Sequence, residues 1–306
     1  MKIAVFGIGG VGGIVGGALA KTHTQTYFYV RGENLKAIRE NGLHVESVLF
    51  GGFTAHPKLA SDNAEEIGKM DAIFVSCKGH SLKAACEAIP PMMGPETAVI
   101  PLLNGVIVSD TMEPLLPPCI LADGTIRVFS RLEKPGHIVQ SAGSCGVVLG
   151  MKDGGIPKKL EAVTAILNNA GVKAALSRNI LQDSWEKYTL MCGNSTVFCH
   201  YGGPARTVHA DPEHEKVLRA VVGELIAVAA AKGVVLPGDL ADRYVEDFSK
   251  MPPDTMTSLY RDLSSGKPAD QTELHHVIGR MVELGEETGI PTPYHKAVLT
   301  RFSAVN

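Results

Sequence analysis

The chain has 306 residues, of which 45% are hydrophobic and 20% are charged, and its formal net charge is -3. This length predicts about two domains. The nearly balanced charge gives no basis for binding nucleic acid or an anionic membrane surface. The six cysteines form no C-x-x-C pair, so we expect reduced thiols and a cytoplasmic protein. Glycine is in excess, because 33 of 306 residues are about 11% of the chain where about 7% is usual.

Seven of these glycines lie in the charge-free residues 3–20. This stretch is almost as long as a transmembrane helix of about 20 apolar residues. Its small residues at 18–20 also resemble a signal-peptide cleavage site. The glycines weaken either kind of helix by about 1 kcal/mol each relative to alanine. We therefore favour a third interpretation, a buried strand followed by a phosphate-binding turn.

Strands and helices alternate through the first half of the chain. Residues 2–6, 26–30, 72–77 and 98–103 have the apolar or β-branched composition of strands, whereas residues 34–40 and 82–89 have helical patterns. This order predicts a mainly parallel, doubly wound sheet.

An antiparallel hairpin of residues 126–129 and 137–140 follows, with its turn at Pro135 and Gly136, and we expect it to extend that sheet. Pro157 precedes a predicted helix at Lys158–Asn169, and residues 172–176 complete the strands.

No strand is predicted after Arg178. Helical spacing and Gly or Pro breaks predict only helices there, over residues 183–198, 212–232, 240–248, 255–263, 272–288 and 294–302. The chain therefore divides into an α/β part, residues 1–178, and an all-helical part, residues 179–306.

The glycine-rich turn matches the pattern G-x-G-x-x-G, directly after a strand and at the start of a helix. Gly7 permits the tight turn, Gly9 lets a pyrophosphate approach the backbone, and Gly12 lets the helix pack on the strand. The helix N-terminus favours the negative charge of the phosphates. The full motif consists of Gly7, Ile8, Gly9, Gly10, Val11 and Gly12.

Arg31 bears on the choice of dinucleotide. NAD-binding proteins have Asp or Glu at the end of the second strand, where it accepts a hydrogen bond from the ribose 2′-hydroxyl. Arg31 occupies that position here, and a guanidinium pairs bidentately with a phosphate. We therefore predict NADPH/NADP as the cofactor. Glu33, two residues after Arg31, is an acidic residue of the kind that NAD-binding proteins use, and it counts against this choice. Arg31 is also compatible with a solvated surface charge.

Two polar residues follow neighbouring predicted strands. Lys78 comes after the strand at 72–77, and Asn104 comes after the strand at 98–103. Open α/β sheets bind their ligands at the carboxyl ends of the strands. Each residue alone also suits an exposed loop, but the pair favours a site.

Lys187 is a candidate proton donor in the helical part. Reduction of a ketone by a nicotinamide cofactor needs a positioned acid, and a cationic lysine supplies a proton and stabilises the developing alkoxide. By residue type alone, Lys187 is one of many helix lysines.

Taken in order, these residues resemble the ketopantoate reductase (2-dehydropantoate 2-reductase) family over most of the chain. The segments that carry the resemblance are residues 2–12, Arg31, Lys78, 103–105, 135–136, 185–187, 258–263, 266–268 and 272–273. The family couples a Rossmann-type α/β domain to an all-helical C-terminal domain, as in 6-phosphogluconate-dehydrogenase-like proteins. The resemblance implies NADPH-dependent reduction of ketopantoate to pantoate in pantothenate and coenzyme A biosynthesis.

The resemblance also implies roles in cofactor binding, with residues 1–178 as the NADP-binding domain. The glycine turn would hold the pyrophosphate, and Arg31 and Lys78 would lie near the 2′-phosphate. Asn104 resembles the asparagine at the nicotinamide end, and Glu273 resembles the glutamate beside the nicotinamide ribose.

Residues 179–306 would then form the substrate and catalytic domain. Lys187 matches the proton-donating lysine, and the charge of Glu273 would orient it. Asn104 and Ser258 resemble substrate-contacting residues, and Asn194 is the asparagine nearest to a position where the family has one.

The chain departs from the family pattern around these residues. Met191 and Ser195 stand where the family usually has asparagines. After Glu273, residues 274–279 lack the Asp and the Asn-Gly that usually follow in the family. The segment between Ser258 and Glu273 is also three residues longer than the family pattern. Reduction of another branched 2-oxo acid is therefore an alternative. A β-hydroxyacid dehydrogenase and a catalytically inactive NADP-sensing protein are two more.

Metal binding is not predicted, because His275 and His276 are adjacent on different helix faces and no Cys/His ligand spacing is present. The expected partner is a small-molecule 2-oxo acid, without nucleic acid or membrane, and the apolar helical part suits a possible homodimer.

Overall fold

The structure is a computed structural model that describes residues 1–304. The chain divides into two compact units. The first comprises residues 1–103 and 107–180, and the second comprises residues 104–106 and 181–306. The chain therefore leaves the first unit for three residues immediately after Leu103.

The strands of the first unit form two sheets. They are, in chain order, β1 (Ile3–Phe6), β2 (Thr26–Tyr29), β3 (Leu43–Ser47), β4 (Gly51–Ala55), β5 (Leu59–Ser61), β6 (Ala72–Val75), β7 (Ala98–Pro101), β8 (Ile120–Leu121), β9 (Asp123–Lys134), β10 (His137–Gly150) and β11 (Lys173–Leu176). The helices are α1 (Gly10–Thr22), α2 (Gly32–Asn41), α3 (Ala64–Ile67), α4 (Leu82–Ala88), α5 (Val108–Met112) and α6 (Lys158–Asn169).

The first sheet is parallel, with the strand order β5-β2-β1-β6-β7-β8. Its central strands β1, β2, β6 and β7 are buried along their whole length, as expected for a parallel sheet covered on both faces. This arrangement confirms the prediction of a doubly wound, Rossmann-type sheet. It brings the carboxyl ends of β1, β2 and β6 to one edge.

The second sheet corrects a sequence-based prediction, because β9 and β10 do not extend the first sheet. They pair with each other, and β10 belongs to a separate sheet with the order β11-β10-β3-β4. Strands β3 and β4 were not predicted. Strand β10 pairs in parallel with both β11 and β3. Because β3 lies about 90 residues earlier in the chain, local sequence patterns do not indicate that pairing.

Helix α1 packs against both sheets, and this explains most of its glycines. A Cβ on Gly16 would be 3.0 Å from the Phe28 ring of the first sheet, and one on Gly17 would be 2.8 Å from Val45 of the second. A Cβ on Gly13 would collide with Ile138, also of the second sheet. Residues 3–20 are therefore a core strand, a turn and a core helix, as the third interpretation predicted.

The second unit is helical. It contains α7 (Ile180–Tyr201), whose first residue lies at the unit boundary, followed by α8 (Ala205–His209), α9 (His214–Ala231), α10 (Leu240–Ser249), α11 (Ser258–Ser264), a π-helical segment (His275–Gly279), α12 (Arg280–Thr288) and α13 (Pro293–Ser303). Large side chains such as Trp185, Tyr188 and Phe248 fill its core. A single helix was predicted over 272–288, whereas α12 begins only after the π-helical turn. None of the helices formed by residues 1–304 is long and apolar enough to cross a membrane.

Candidate active site

The glycine turn joins β1 to α1 and has the backbone geometry that its sequence predicts. Gly7 has φ +92°, a conformation that residues with a Cβ rarely adopt. A Cβ on Gly12 would collide with the carbonyl oxygen of Gly7, so only glycine allows α1 to start this close to the strand. Apart from Gly9 itself and its two chain neighbours, no atom of residues 1–304 lies within 4 Å of the position that a Cβ on Gly9 would occupy. The turn is therefore tight at Gly7 and Gly12 and open at Gly9.

The amino end of α1 offers backbone donors that the helix itself does not use. The first intrahelical hydrogen bond runs from Gly13 N to Gly9 O, so the amides of Gly10, Val11 and Gly12 precede it. Gly9 is the N-cap and supplies no side-chain acceptor for them. Together with the helix dipole, these amides form a site suited to a phosphate group.

Asn34 holds the glycine turn in place, a role that was not predicted. Its side-chain amide donates to the carbonyl oxygen of Ile8 at 2.7 Å, and its Oδ1 accepts a hydrogen bond from the amide of Gly136 at 2.7 Å. One side chain on α2 thus connects the glycine turn to the β9–β10 turn. An Asn directly after Glu33 carries no distinctive sequence signal, so only the fold identifies it.

Arg31 is exposed at the carboxyl end of β2, in extended conformation immediately before α2. Its guanidinium lies over the ring of Tyr29, 5.8 Å from the centroid. Tyr29 in turn stacks on Phe6 of the neighbouring strand, with ring centroids 4.2 Å apart. The aromatic pair therefore supports the guanidinium at the sheet edge that also carries Gly7.

Lys78 is also exposed at this edge, three residues beyond the end of β6. Ser76, between the end of β6 and Lys78, is buried next to Gly12, where a Cβ would lie 3.0 Å from the Ser76 Cβ. The Oγ of Ser76 has no hydrogen-bond partner within residues 1–304. Since β1 lies between β2 and β6, Arg31 and Lys78 flank the glycine turn. A buried hydroxyl without a partner costs free energy unless a ligand or water satisfies it.

The second unit brings Asn104, Lys187 and His276 together. Lys187 lies on α7, and its Nζ donates to Oδ1 of Asn104 at 3.4 Å. Nε2 of His276 makes a short hydrogen bond to the backbone carbonyl of Asn104. A carbonyl oxygen only accepts, so Nε2 of His276 carries the proton in this contact. The asparagine is thus held at its backbone by one residue and contacts the lysine with its side chain.

His276 belongs to the π-helical segment, which is attached to α7. The hydroxyl of Tyr188 donates to the carbonyl oxygen of Val277 at 2.6 Å. Complete burial raises the pKa of Tyr188 well above its usual value, chiefly by desolvation, so the phenol stays protonated as a donor. Because Tyr188 adjoins Lys187 and Val277 adjoins His276, this bond links the two segments that contact Asn104. Single π-turns within helices are frequent at functional sites.

The remaining predicted site residues lie outside this hydrogen-bonded group. Glu273, two residues before the π-helical segment, is half-buried, and its Oε1 has no hydrogen-bond partner in the described chain. Asn194 on α7 likewise has a buried Oδ1 that no residue of the described chain satisfies. Ser258 is the exposed first residue of α11, after the N-cap Thr257. Two buried acceptors without partners indicate positions where a ligand can donate hydrogen bonds.

These geometries define what each unit offers chemically. The first unit presents backbone donors at a helix N-terminus between two cationic side chains, which fits the diphosphate and additional phosphate of a dinucleotide. The second presents a lysine amino group beside an asparagine amide, an arrangement that supports proton transfer to a carbonyl oxygen.

Comparison with known proteins identifies similar chains along almost the whole length. The family model "Ketopantoate reductase PanE/ApbA" matches residues 3–154, and the model of its C-terminal part matches residues 179–306. A 2-dehydropantoate 2-reductase of Mesorhizobium japonicum is 27% identical over 98% of this chain and 96% of its own. An uncharacterized oxidoreductase of Bacillus subtilis, YkpB, is 24% identical over 97% of this chain and 96% of its own.

The fold is similar as well. The crystal structure of a PanE/ApbA family ketopantoate reductase from Ralstonia eutropha matches this structure with a TM-score of 0.86 and 27% sequence identity. The match covers 100% of this chain and 98% of the Ralstonia chain.

Proposed function

Because the chain belongs to the ketopantoate reductase family of oxidoreductases, we propose that it reduces ketopantoate to pantoate with NADPH, as a step of pantothenate and coenzyme A biosynthesis. The observation that carries this proposal is the contact between Nζ of Lys187 and Oδ1 of Asn104, at 3.4 Å. It places a cationic acid beside an amide, and such a pair suits a carbonyl substrate.

Residues 7–12 bind the cofactor pyrophosphate in this proposal. The open space at Gly9 lets phosphate oxygens reach the amides of residues 10–12, and the α1 dipole favours their charge. When bound, NADPH supplies the hydride that the reduction requires. The Oε1 of Glu273, which has no hydrogen-bond partner among residues 1–304, is suited to accept a hydrogen bond from a ribose hydroxyl.

Arg31 and Lys78 select NADPH over NADH. Both are exposed cations at the edge where the adenosine ribose of a Rossmann-bound dinucleotide is recognised. Arg31 stands where NAD-binding proteins have an acid, and its guanidinium pairs with the 2′-phosphate. Stacking of the guanidinium near Tyr29 limits its freedom before the cofactor binds.

Lys187 is the proton donor. As the 2-oxo carbon gains an electron pair with the hydride, its carbonyl oxygen becomes an alkoxide and takes a proton from the Lys187 ammonium. The neutral amine that remains regains its proton from water. Asn104 orients the lysine and the substrate carbonyl, and His276 holds the Asn104 backbone so that this alignment is fixed before substrate binds.

The substrate-contacting residues are Asn194 and Ser258 in addition to Asn104. Asn194 retains an amide near the positions where Met191 and Ser195 replace the usual asparagines, and its Oδ1 has no partner among residues 1–304. A branched 2-oxo acid other than ketopantoate is the alternative substrate, because these replacements alter polar contacts on the α7 face that follows Lys187.

Replacement of Lys187 by alanine tests the proposal directly. Without its general acid the enzyme should lose about 100- to 10,000-fold in kcat with ketopantoate. The Kd for NADPH, measured by quenching of protein fluorescence, should stay unchanged, since the phosphate and ribose contacts remain.

Lys216→Ala is the matched control, because Lys216 is an exposed helix lysine on α9 and should leave kcat unchanged. If the Lys187→Ala enzyme turned over ketopantoate at the rate of the Lys216→Ala enzyme, Lys187 would not be the proton donor.

A further inference from the structure

Three potential metal ligands lie together on the second sheet of the first unit. His44 and Glu46 are on β3, and His137 is the first residue of β10. His44 and His137 are direct partners in the parallel pairing of these strands. Glu46 follows His44 by two residues and so projects from the same face. Residues from two strands thus converge although 90 residues separate Glu46 from the next ligand.

The opposite face of the same strands is buried. Val45 and Ile138, each adjacent to a member of the cluster, are both fully buried, and they pack where Gly17 and Gly13 of α1 make room for them. The register of the sheet is therefore fixed by its core face, and the same register aligns the three polar side chains on the outer face.

The distances from the two imidazoles to the Glu46 carboxylate match those between neighbouring ligands of a metal ion. Nε2 of His137 lies 3.1 Å from Oε1 of Glu46, and Nε2 of His44 lies 3.4 Å from the same oxygen. All three ligand atoms lie within 4.8 Å of one another. Neighbouring ligand atoms of a tetrahedral zinc ion are about 3.4 Å apart when the metal–ligand bonds are about 2.0–2.2 Å.

The bonding of the two imidazoles supports this interpretation. Nε2 of His137 is shielded from solvent and makes no hydrogen bond within residues 1–304, although the Glu46 oxygen is close enough. The 3.1 Å between these two atoms is short enough for a hydrogen bond, but their relative orientation does not meet the angular requirement. Such an orientation is expected when both atoms point at a metal ion between them. Nδ1 of His44 contacts Oγ1 of Thr54 at 3.4 Å, which leaves its Nε2 to act as the ligand.

We propose that His44, Glu46 and His137 bind a divalent first-row transition metal ion, with Zn²⁺ as the preferred ion. Two neutral imidazoles and one carboxylate are a ligand set that zinc favours, and the exposed side of the cluster leaves the fourth position to water. The ion joins β3 to β10 and so strengthens the sheet that supports α1. Its binding does not depend on the reaction proposed above.

Local spacing does not reveal this site. Only H-x-E is contiguous in the sequence, and His137 joins it through strand pairing. The absence of Cys/His ligand spacing therefore excludes a site within one segment, whereas this one is assembled from two.

Zinc titration of the chelator-treated full chain tests the proposal. Calorimetry with Zn²⁺ alone should give one ion per chain, and Co²⁺ should produce the visible d–d absorption of a tetrahedral site. Residues that only hydrogen-bond to metal ligands already contribute about 10- to 100-fold to metal affinity. Loss of a ligand itself should therefore weaken Zn²⁺ binding by about 100-fold or more, and we expect this for each of the variants His44→Ala, Glu46→Gln and His137→Ala. Zn²⁺ should also raise the melting temperature of the wild type but not of His137→Ala.

His275→Ala is the control, because it removes an exposed histidine of the second unit and should leave the affinity unchanged. Circular dichroism shows whether each variant is folded. Zinc affinity that is the same in the wild type and in folded His137→Ala, or an ion that binds only in the millimolar range, would overturn the proposed site.

Discussion

Asn104 is the residue on which the proposed chemistry depends most closely. Lys187 contacts its side chain and His276 its backbone carbonyl. The lysine supplies the proton in our account, whereas His276 acts through Asn104 and is a positioning residue. A shift of a reacting group by about 1 Å can cost about 100-fold in rate, so the support of Asn104 has a measurable consequence.

The adjacent histidines offer a matched pair for testing this role. His276→Ala should lower kcat by about tenfold, because Asn104 loses its backbone partner while the lysine remains. His275→Ala should leave kcat unchanged, since His275 is exposed and the hydrogen bond to the Asn104 carbonyl is made by His276. Steady-state kinetics should also show partial rescue by His276→Gln, whose amide donates a similar hydrogen bond. Equal kcat in the two alanine variants would remove His276 from the account.

Arg31 permits an equally specific test of cofactor choice. Arg31→Ala should raise the KM for NADPH by about 10- to 100-fold, because a hydrogen bond to a charged group contributes about 1.5–3 kcal/mol. The KM for NADH should change little, as NADH has no 2′-phosphate. Lys36→Ala, an exposed change on α2, is the control. An equal loss for both cofactors would contradict the assignment.

Sequence-based prediction succeeded at residues whose signal is local. Gly7 and Gly12 were recognisable because a tight turn needs their backbone freedom within one short motif. Lys187 was distinguished from other helix lysines only by the family resemblance. The sequence raised His276 only as a metal ligand and gave it no place at the site. Its contact with Asn104 is made across 172 residues of sequence and depends on a π-helical turn. No periodicity in the chain indicates that turn.

At the scale of elements, α1 shows why glycine is so abundant near the start of the chain. Glycine lowers helix stability, yet α1 places Gly16 against the first sheet and Gly13 and Gly17 against the second. The sequence predicted the helix and its turn, but it did not predict the second sheet. Consequently only the glycines of the turn, and not those of the helix interior, had an explanation before the fold was known.

Two helix glycines with opposite surroundings test this explanation. Gly13→Ala should destabilise the protein by about 1–3 kcal/mol, because the added methyl group overpacks against buried Ile138. Gly223→Ala, in α9, has no atom within 4 Å of the new methyl group and should stabilise by about 0.5–1 kcal/mol through helix propensity. Urea unfolding curves measure both changes. A Gly13→Ala protein as stable as Gly223→Ala would mean that α1 does not need glycine there.

At the scale of the whole molecule, both units belong to one family pattern. The two family models match residues 3–154 and 179–306, so the resemblance does not rest on the glycine motif alone. The parallel sheet of the first unit and the helical second unit were predictable, because alternating and purely helical periodicities differ strongly. The substrate was not, because a substrate is selected by single side chains, and this chain has Met191 and Ser195 where the family usually has asparagines.

The most direct test of the central claim is NADPH consumption, followed by absorbance, with a panel of 2-oxo acids that includes ketopantoate and with 3-hydroxy acids assayed in the oxidative direction. We expect NADPH-dependent turnover of ketopantoate or of a related branched 2-oxo acid, and no oxidation of 3-hydroxy acids. Oxidation of 3-hydroxy acids without turnover of any 2-oxo acid would contradict the account in favour of a β-hydroxyacid dehydrogenase. Tight NADPH binding with no turnover at all would contradict it in favour of an NADP-sensing protein.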